Sequence, residues 1–262
     1  MGIFSTNIWS PDIRLKRTAL IACFVALCTA SQAPAGNFRV TPIRLELDRG
    51  AKSGAITVIN EGTETMNFQV SVSEWTQDDK GKDVYADTAD MIFFPKILSV
   101  EPRGQRVIRV GTKGPSPVKE KTYRLFIEEI PAPATGQAKQ STLSIAIRFA
   151  PPIFRVPVSP QRSGTIERAD VSRGVITAVV KNTGTAHFLI SSITARGIAV
   201  DGSEVFSLDV KGWYLLQGAS RTYEITVPLE KCIRASRIDL TVQSDTVTLN
   251  RTVDVRAEMC SQ

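Results

Sequence analysis

The side chains able to do chemistry in this chain are few, and their spacing argues against catalysis. The only histidine, His187, sits in Asn182-Thr183-Gly184-Thr185-Ala186-His187-Phe188, a turn that leads into an extended run. A histidine there packs or hydrogen-bonds, with no sequence neighbour that would make it a general base. Glu128 and Glu129 are adjacent. In a strand they point to opposite faces, so they make a poor acid–base pair. There is no Walker loop, no G-x-G-x-x-G and no G-x-S-x-G. Asp78-Asp79-Lys80-Gly81-Lys82-Asp83 is dense in charge but lacks the ligand spacing of a calcium loop and reads as a solvated turn. One histidine also removes any His-rich metal site. A secreted hydrolase built on His187 is therefore the weak reading.

What stands out instead is a stretch suited to pairing with another chain. In Ser141–Pro157, Leu143, Ile145, Ile147 and Phe149 alternate with Ser144, Ala146 and Arg148, which puts one apolar stripe on an extended strand. Pro151 and Pro152 follow at once. Proline cannot donate to a ladder, so they favour an edge strand or a strand break. The stripe has two readings: a half-buried strand facing its own core, or an edge kept apolar so that it can pair elsewhere.

The N-terminus reads as a secretory leader. Arg14, Lys16 and Arg17 precede the apolar run Thr18 to Ala30, and small residues at Ala33 and Ala35 follow. The run is too short to span a bilayer, and cleavage after Ala35 fits better than after Ala33, which would leave Pro34 first. Leu20-Ile21-Ala22-Cys23 loosely follows a lipoprotein site, but almost no apolar stretch precedes it. The net charge of +6 falls to about +4 once Asp12, Arg14, Lys16 and Arg17 leave with residues 1–35. No basic block or aromatic-studded basic helix points to nucleic acid. Of four cysteines, Cys232 and Cys260 lie beyond the leader. In an exported chain an isolated pair most simply forms one disulfide, the alternative being two thiols, and their spacing suits no zinc site.

Helical periodicity is nearly absent after the leader, and short β-branched runs recur between Gly, Asn, Asp and Pro. Strands are expected over 38–47, 55–60, 66–75, 92–100, 106–110, 123–130 and 142–149, then over 165–171, 175–182, 188–195, 205–210, 222–228, 237–243 and 246–255. Pro157-Val158-Ser159-Pro160 and the polar residues to Gly164 form a stiff linker between the two series, and Ile130 to Gly136 a long loop. The expectation is an all-β chain of two immunoglobulin-like sandwiches, with a signal peptide over 1–35 and domains over 36–157 and 158–262.

The pieces, in order, resemble the PapD-like periplasmic chaperones of the chaperone–usher pilus pathway. Val40 to Leu47 resembles their first strand, and Ile56 to Asn60, Phe68 to Val70 and Glu74-Trp75 the next two. Phe93 to Val110 is the most specific piece: a proline-containing strand, a turn, then a Q-x-x-R-[IV] strand. Tyr123 to Pro131 resembles the penultimate strand, Leu143 to Pro157 the last, and Val179 to Phe188 an N-x-G-x-x-H element of the second domain. The P-P-I-F and Y-R-L-F segments are similar to the archaic branch.

The resemblance implies a boomerang of two sandwiches that holds a pilin or fimbrial subunit and delivers it to an outer-membrane usher. No enzyme activity, cofactor, nucleic acid or stable membrane insertion after leader cleavage is implied. The donor strand would be Leu143, Ile145, Ile147 and Phe149. Burying four such side chains contributes on the order of 6–12 kcal/mol gross, less ordering and association costs. The family's first-strand arginine, an anchor for the subunit's terminal carboxylate, matches Arg44. Its lysine partner falls on Pro152, which leaves Arg124 or Arg148 as second cation, and the family's arginine before the final proline falls on Val156. The rival reading is a secreted structural or adhesive two-sandwich protein with no chaperone activity.

Overall fold

The computed structural model describes residues 38–131 and 146–261. The leader, with its cleavage site, and the donor-strand residues Leu143 and Ile145 lie outside them.

The first sandwich contains β1 (Phe38–Thr41), β2 (Leu45–Leu47), β3 (Ser53–Asn60), β4 (Met66–Gln77), β5 (Asp83–Asp87), β6 (Met91–Phe94), β7 (Ile97–Val100), β8 (Gln105–Thr112), β9 (Lys121–Ile130), β10 (Arg148–Phe149) and β11 (Pro152–Arg155). One sheet runs β1-β3-β8-β6 and the other β2-β11-β9-β4-β5, with β10 added to β9 and β7 to β4. Two runs expected as single strands are each broken at a proline and shared between the sheets. After Pro42 the chain leaves β1 for β2, which pairs in parallel with β11. After Pro95 it leaves β6, paired with β8, for β7, paired with β4. A residue without an N–H cannot continue the ladder, so the strand ends there and the chain changes sheet. Ile56, Val58, Phe68, Val70, Ile108, Tyr123, Leu125, Ile127 and Ile153 fill the space between the sheets. Each such side chain contributes roughly 1.5–3 kcal/mol on burial.

The second sandwich contains β12 (Gly164–Ser172), β13 (Val175–Asn182), β14 (Phe188–Ile198), β15 (Glu204–Lys211), β16 (Tyr214–Leu215), β17 (Ser220–Thr226), β18 (Arg237–Ser244) and β19 (Thr248–Asp254). A one-turn helix, α1 (Leu229–Cys232), precedes β18. The sheets run β12-β13-β17 and β15-β14-β18-β19, with β16 on β14. Cys232 and Cys260 are disulfide-bonded, with Cα atoms 5.7 Å apart, inside this domain's core.

The same corner recurs in both domains. Asn60 Nδ2 donates to the Glu64 and Val100 carbonyls while its Oδ1 accepts the Gly62 N–H. Asn182 Nδ2 donates to the Ala186 and Leu215 carbonyls while its Oδ1 accepts the Gly184 N–H. A buried amide with both ends satisfied pins each turn. Gly184 is required, because a Cβ there would lie 2.2 Å from the Gln161 carbonyl.

Candidate functional site

The site grows from the register of β10 and β11 on β9. Phe149 pairs with Ile127, Arg148 with Glu128 and Pro152 with Arg124, so the register runs unbroken through Ala150-Pro151. The Leu125 N–H donates to the Pro151 carbonyl across that gap, and the Glu129 N–H to the Ile147 carbonyl. Alternation then sorts the side chains. Phe149 and Ile153 face the first core, and Arg148, Pro152 and Phe154 the opposite face. β11 lies between β9 and β2, whereas β10 pairs with β9 alone among the described residues. Phe149 packs against its own core and Ile147, two residues along the same face, is 37% exposed. The two readings of the apolar stripe therefore divide between these two residues.

The opposite face of this sheet gathers arginines and aromatics. Pro152 pairs with Arg124 and Arg124 with Ser73, and the parallel register sets Arg44, one residue before β2, beside Pro152. Arg44 and Arg124 thus stand two strands apart, about 10 Å between backbones. Arg44 is exposed and meets Glu46 at 3.4 Å. Arg148 is also exposed, with its Cζ 3.9 Å from the Phe126 ring centroid and its Nε 3.9 Å from Glu128. Arg124 differs from both. It is 6% exposed, its Cζ lies 3.8 Å from the Trp75 ring centroid, and its Nη1 donates to the Ala150 carbonyl at 2.8 Å. Its Nε has no partner among the described residues. Burial lowers the pKa of this guanidinium, which Tyr85 and Asp83 partly counter; it stays charged at any physiological pH.

Around Arg124 the two sandwiches meet. Trp75, Phe154, Val156 and Leu216 form a buried cluster, with Tyr214 packed against it. The position of the family's arginine before the final proline is thus an apolar residue in this junction, and Arg155 is buried and donates to the Pro115 carbonyl. His187 lies here as well, 2% exposed, its ring stacked on Phe154 at 3.5 Å. Its Nδ1 lies 2.8 Å from Glu120 Oε1, and its backbone N–H donates to the same oxygen. Covered on its face and held by a carboxylate, this imidazole packs and hydrogen-bonds, the role expected of it.

Sequence reasoning singled out Arg44, Arg124 and Arg148 but missed Gln77, Glu120, Trp213 and Tyr214, whose roles depend on the partner domain. Trp75 was noted only as a strand residue. Among the described residues no His/Cys/Asp/Glu group is arranged to hold a metal ion, and no helix is long and apolar enough to cross a membrane.

Two sandwiches joined in this way, with β10 paired on one side alone among the described residues, define a class of fold. Residues 37–161 match the family model described as pili and flagellar-assembly chaperone, PapD N-terminal domain. Residues 37–161 are thus the N-terminal domain of the PapD type, found in pilus-assembly chaperones. Among solved structures it is similar to the CsuC–CsuE chaperone–tip adhesion subunit pre-assembly complex from archaic chaperone-usher Csu pili of Acinetobacter baumannii. There the identity is 18%, 82% of this chain and 98% of that chain are covered, and the TM-score is 0.58. It is also similar to the Salmonella enterica SafA pilin in complex with the SafB chaperone, at 15% identity, 85% and 99% coverage and a TM-score of 0.55. The YadV chaperone follows at 14% identity, 84% and 100% coverage and a TM-score of 0.53. No curated protein sequence matches the chain.

Proposed function

We propose that this chain is exported by a leader removed after Ala35 and acts as a periplasmic chaperone of archaic type, with domains over 36–157 and 158–262. It captures a pilin or fimbrial subunit that lacks a strand, completes it with Leu143, Ile145, Ile147 and Phe149, and delivers it to an outer-membrane usher. The supporting observation is the one-sided pairing of β10 among the described residues, with Ile147 exposed on the face that Phe149 uses to reach the core. Backbone groups left open beside an apolar stripe are what an incoming strand requires, and completion of a pilin by its chaperone is strand addition of this kind. The similarity in fold to solved chaperone–subunit complexes supports the same reading.

The subunit's terminal carboxylate is anchored by Arg44, with Arg124 as second cation in place of the lysine absent at Pro152. Arg44 is exposed and only loosely paired, and Arg124 stands one strand beyond Pro152 with a donor unused among the described residues. Arg148 is the weaker alternative, because Phe126 and Glu128 already engage it. No nucleotide is needed, since the subunit's final folding, withheld in the complex, drives assembly.

The test is a periplasmic pull-down of the tagged chain with mass spectrometry. A small exported all-β subunit in a one-to-one complex, lost in Ile145→Asp/Ile147→Asp, is the expected result. Clean monomer despite co-expression of neighbouring secreted proteins would favour the structural two-sandwich reading.

A further inference from the structure

Gln77, the last residue of β4, reaches from the first sandwich into the second. Its Nε2 donates to the Tyr214 carbonyl at 2.8 Å, and its Oε1 accepts the Leu216 N–H at 3.0 Å. A primary amide presents a donor and an acceptor as a peptide group does, so this side chain pairs with β16 as a neighbouring strand would. On its other side β16 is laddered to β14. Nε2 also donates to Asp83 Oδ1 at 3.1 Å, and Asp83 Oδ2 accepts the Trp213 indole N–H at 3.0 Å. At the tip of the same hairpin, Arg221 Nη1 donates to the Gly81 carbonyl at 3.1 Å. Gly81 has φ +75°, and a Cβ there would come within 2.6 Å of the Arg221 side chain.

The backbone that Gln77 grips carries two aromatic rings toward Arg124. The Trp213 and Tyr214 ring centroids lie 5.7 and 5.8 Å from its Cζ, within range of a cation–π attraction, with Trp75 closer at 3.8 Å. A guanidinium confined by three aromatic rings keeps few orientations, and its unpartnered Nε–H remains able to meet an acceptor.

We propose that Gln77 is a positioning residue: with Asp83 it holds Trp213 and Tyr214 of the second sandwich against Arg124, so that both domains set the orientation of this cation. The inference rests on the carboxylate-anchor reading for its purpose, though its geometry can be tested without it.

The experiment uses the exported chain labelled with ¹⁵N-arginine, in which the Arg124 Nε–H resonance is assigned by its loss in Arg124→Gln. Sodium acetate is the carboxylate probe and acetamide its neutral control. In Gln77→Ala, with the fold intact by circular dichroism, the resonance moves away from its ring-shifted position. Acetate then acts about five-fold more weakly, the scale of one lost cation–π contact. Gln77→Glu keeps the acceptor for Leu216 but turns a carboxylate oxygen toward the Tyr214 carbonyl and Asp83, and moves the resonance away as well. An unmoved resonance in folded Gln77→Ala, or in Gln77→Glu should the alanine variant not fold, would overturn the proposal. If acetate is without effect on the native chain while Gln77→Ala still moves the resonance, the positioning role stands and the carboxylate reading falls.

Discussion

Glu120 and His187 belong to different sandwiches, yet one carboxylate oxygen of Glu120 accepts the His187 backbone N–H and also lies 2.8 Å from its Nδ1. The Glu120 N–H in turn donates to the Thr185 carbonyl, so the exchange runs both ways across the junction. Both side chains are removed from water. Breaking such a pair leaves the survivor's polar groups unsatisfied, which costs far more than a surface contact. Glu120→Ala should therefore lower stability by about 2–4 kcal/mol in urea denaturation. His187→Phe keeps a ring to stack on Phe154 but strands the buried Glu120 carboxylate, so it should cost at least as much. A loss under about half a kilocalorie in Glu120→Ala would mean the pair is replaceable by water.

The donor-strand reading predicts a separation of folding from capture. Ile147 is exposed and the strand is open on one side among the described residues, so Ile145→Asp/Ile147→Asp should leave the melting temperature nearly unchanged. It should abolish protection of a co-expressed subunit from degradation. Phe149→Ala is the contrast: that ring touches the chain's own core, and its removal should lower stability by roughly 1–3 kcal/mol for a half-buried aromatic.

At the anchor, Arg44→Ala should weaken capture with no measurable loss of thermal stability, because its ion pair with Glu46 is exposed and such pairs contribute about 0–1 kcal/mol. A fall in melting temperature of many degrees would instead make Arg44 structural.

A third network carries a pH dependence. Asp90 Oδ2 accepts from Lys121 Nζ at 2.6 Å and from the Tyr123 hydroxyl at 3.0 Å, and the Lys121 hydrogen bond is the main reason the Asp90 carboxyl is held below its ordinary pKa. A carboxylate with a lowered folded pKa contributes stability above its unfolded pKa and loses it as pH falls through the folded value. Asp90→Asn should thus be the less stable protein at pH 7, with the gap closing below about pH 4. Solvent screening keeps the difference to about 1 kcal/mol or less. A gap that persists unchanged at about pH 2.5 would rule out the carboxylate as its source.

The disulfide closes a span of 28 residues around β18 and β19. Cys232→Ser/Cys260→Ser should cost about 2–4 kcal/mol, read from denaturation of the second domain.

Alternation, turn residues and the order of motifs made the two-sandwich plan legible, because strand period and proline placement are local properties. The repeated N-x-G corner at Asn60 and Asn182 was equally visible in the sequence, and its meaning emerged only when both amides proved to pin turns. The breaks at Pro42 and Pro95 were also in plain view. A proline says that a ladder stops; which sheet the next segment joins depends on partners far along the chain. For the same reason the sequence matched Arg44 to the anchor but offered Arg124 and Arg148 as undivided second candidates. The tertiary structure separated them, leaving Arg44 and Arg148 at the surface and enclosing Arg124 among Trp75, Trp213 and Tyr214. By itself the sequence determined strands, a family resemblance and an apolar stripe, all carried by near neighbours. Contacts such as Gln77 with Tyr214 join residues 137 apart, and no local pattern encodes what only the docking of two domains brings together.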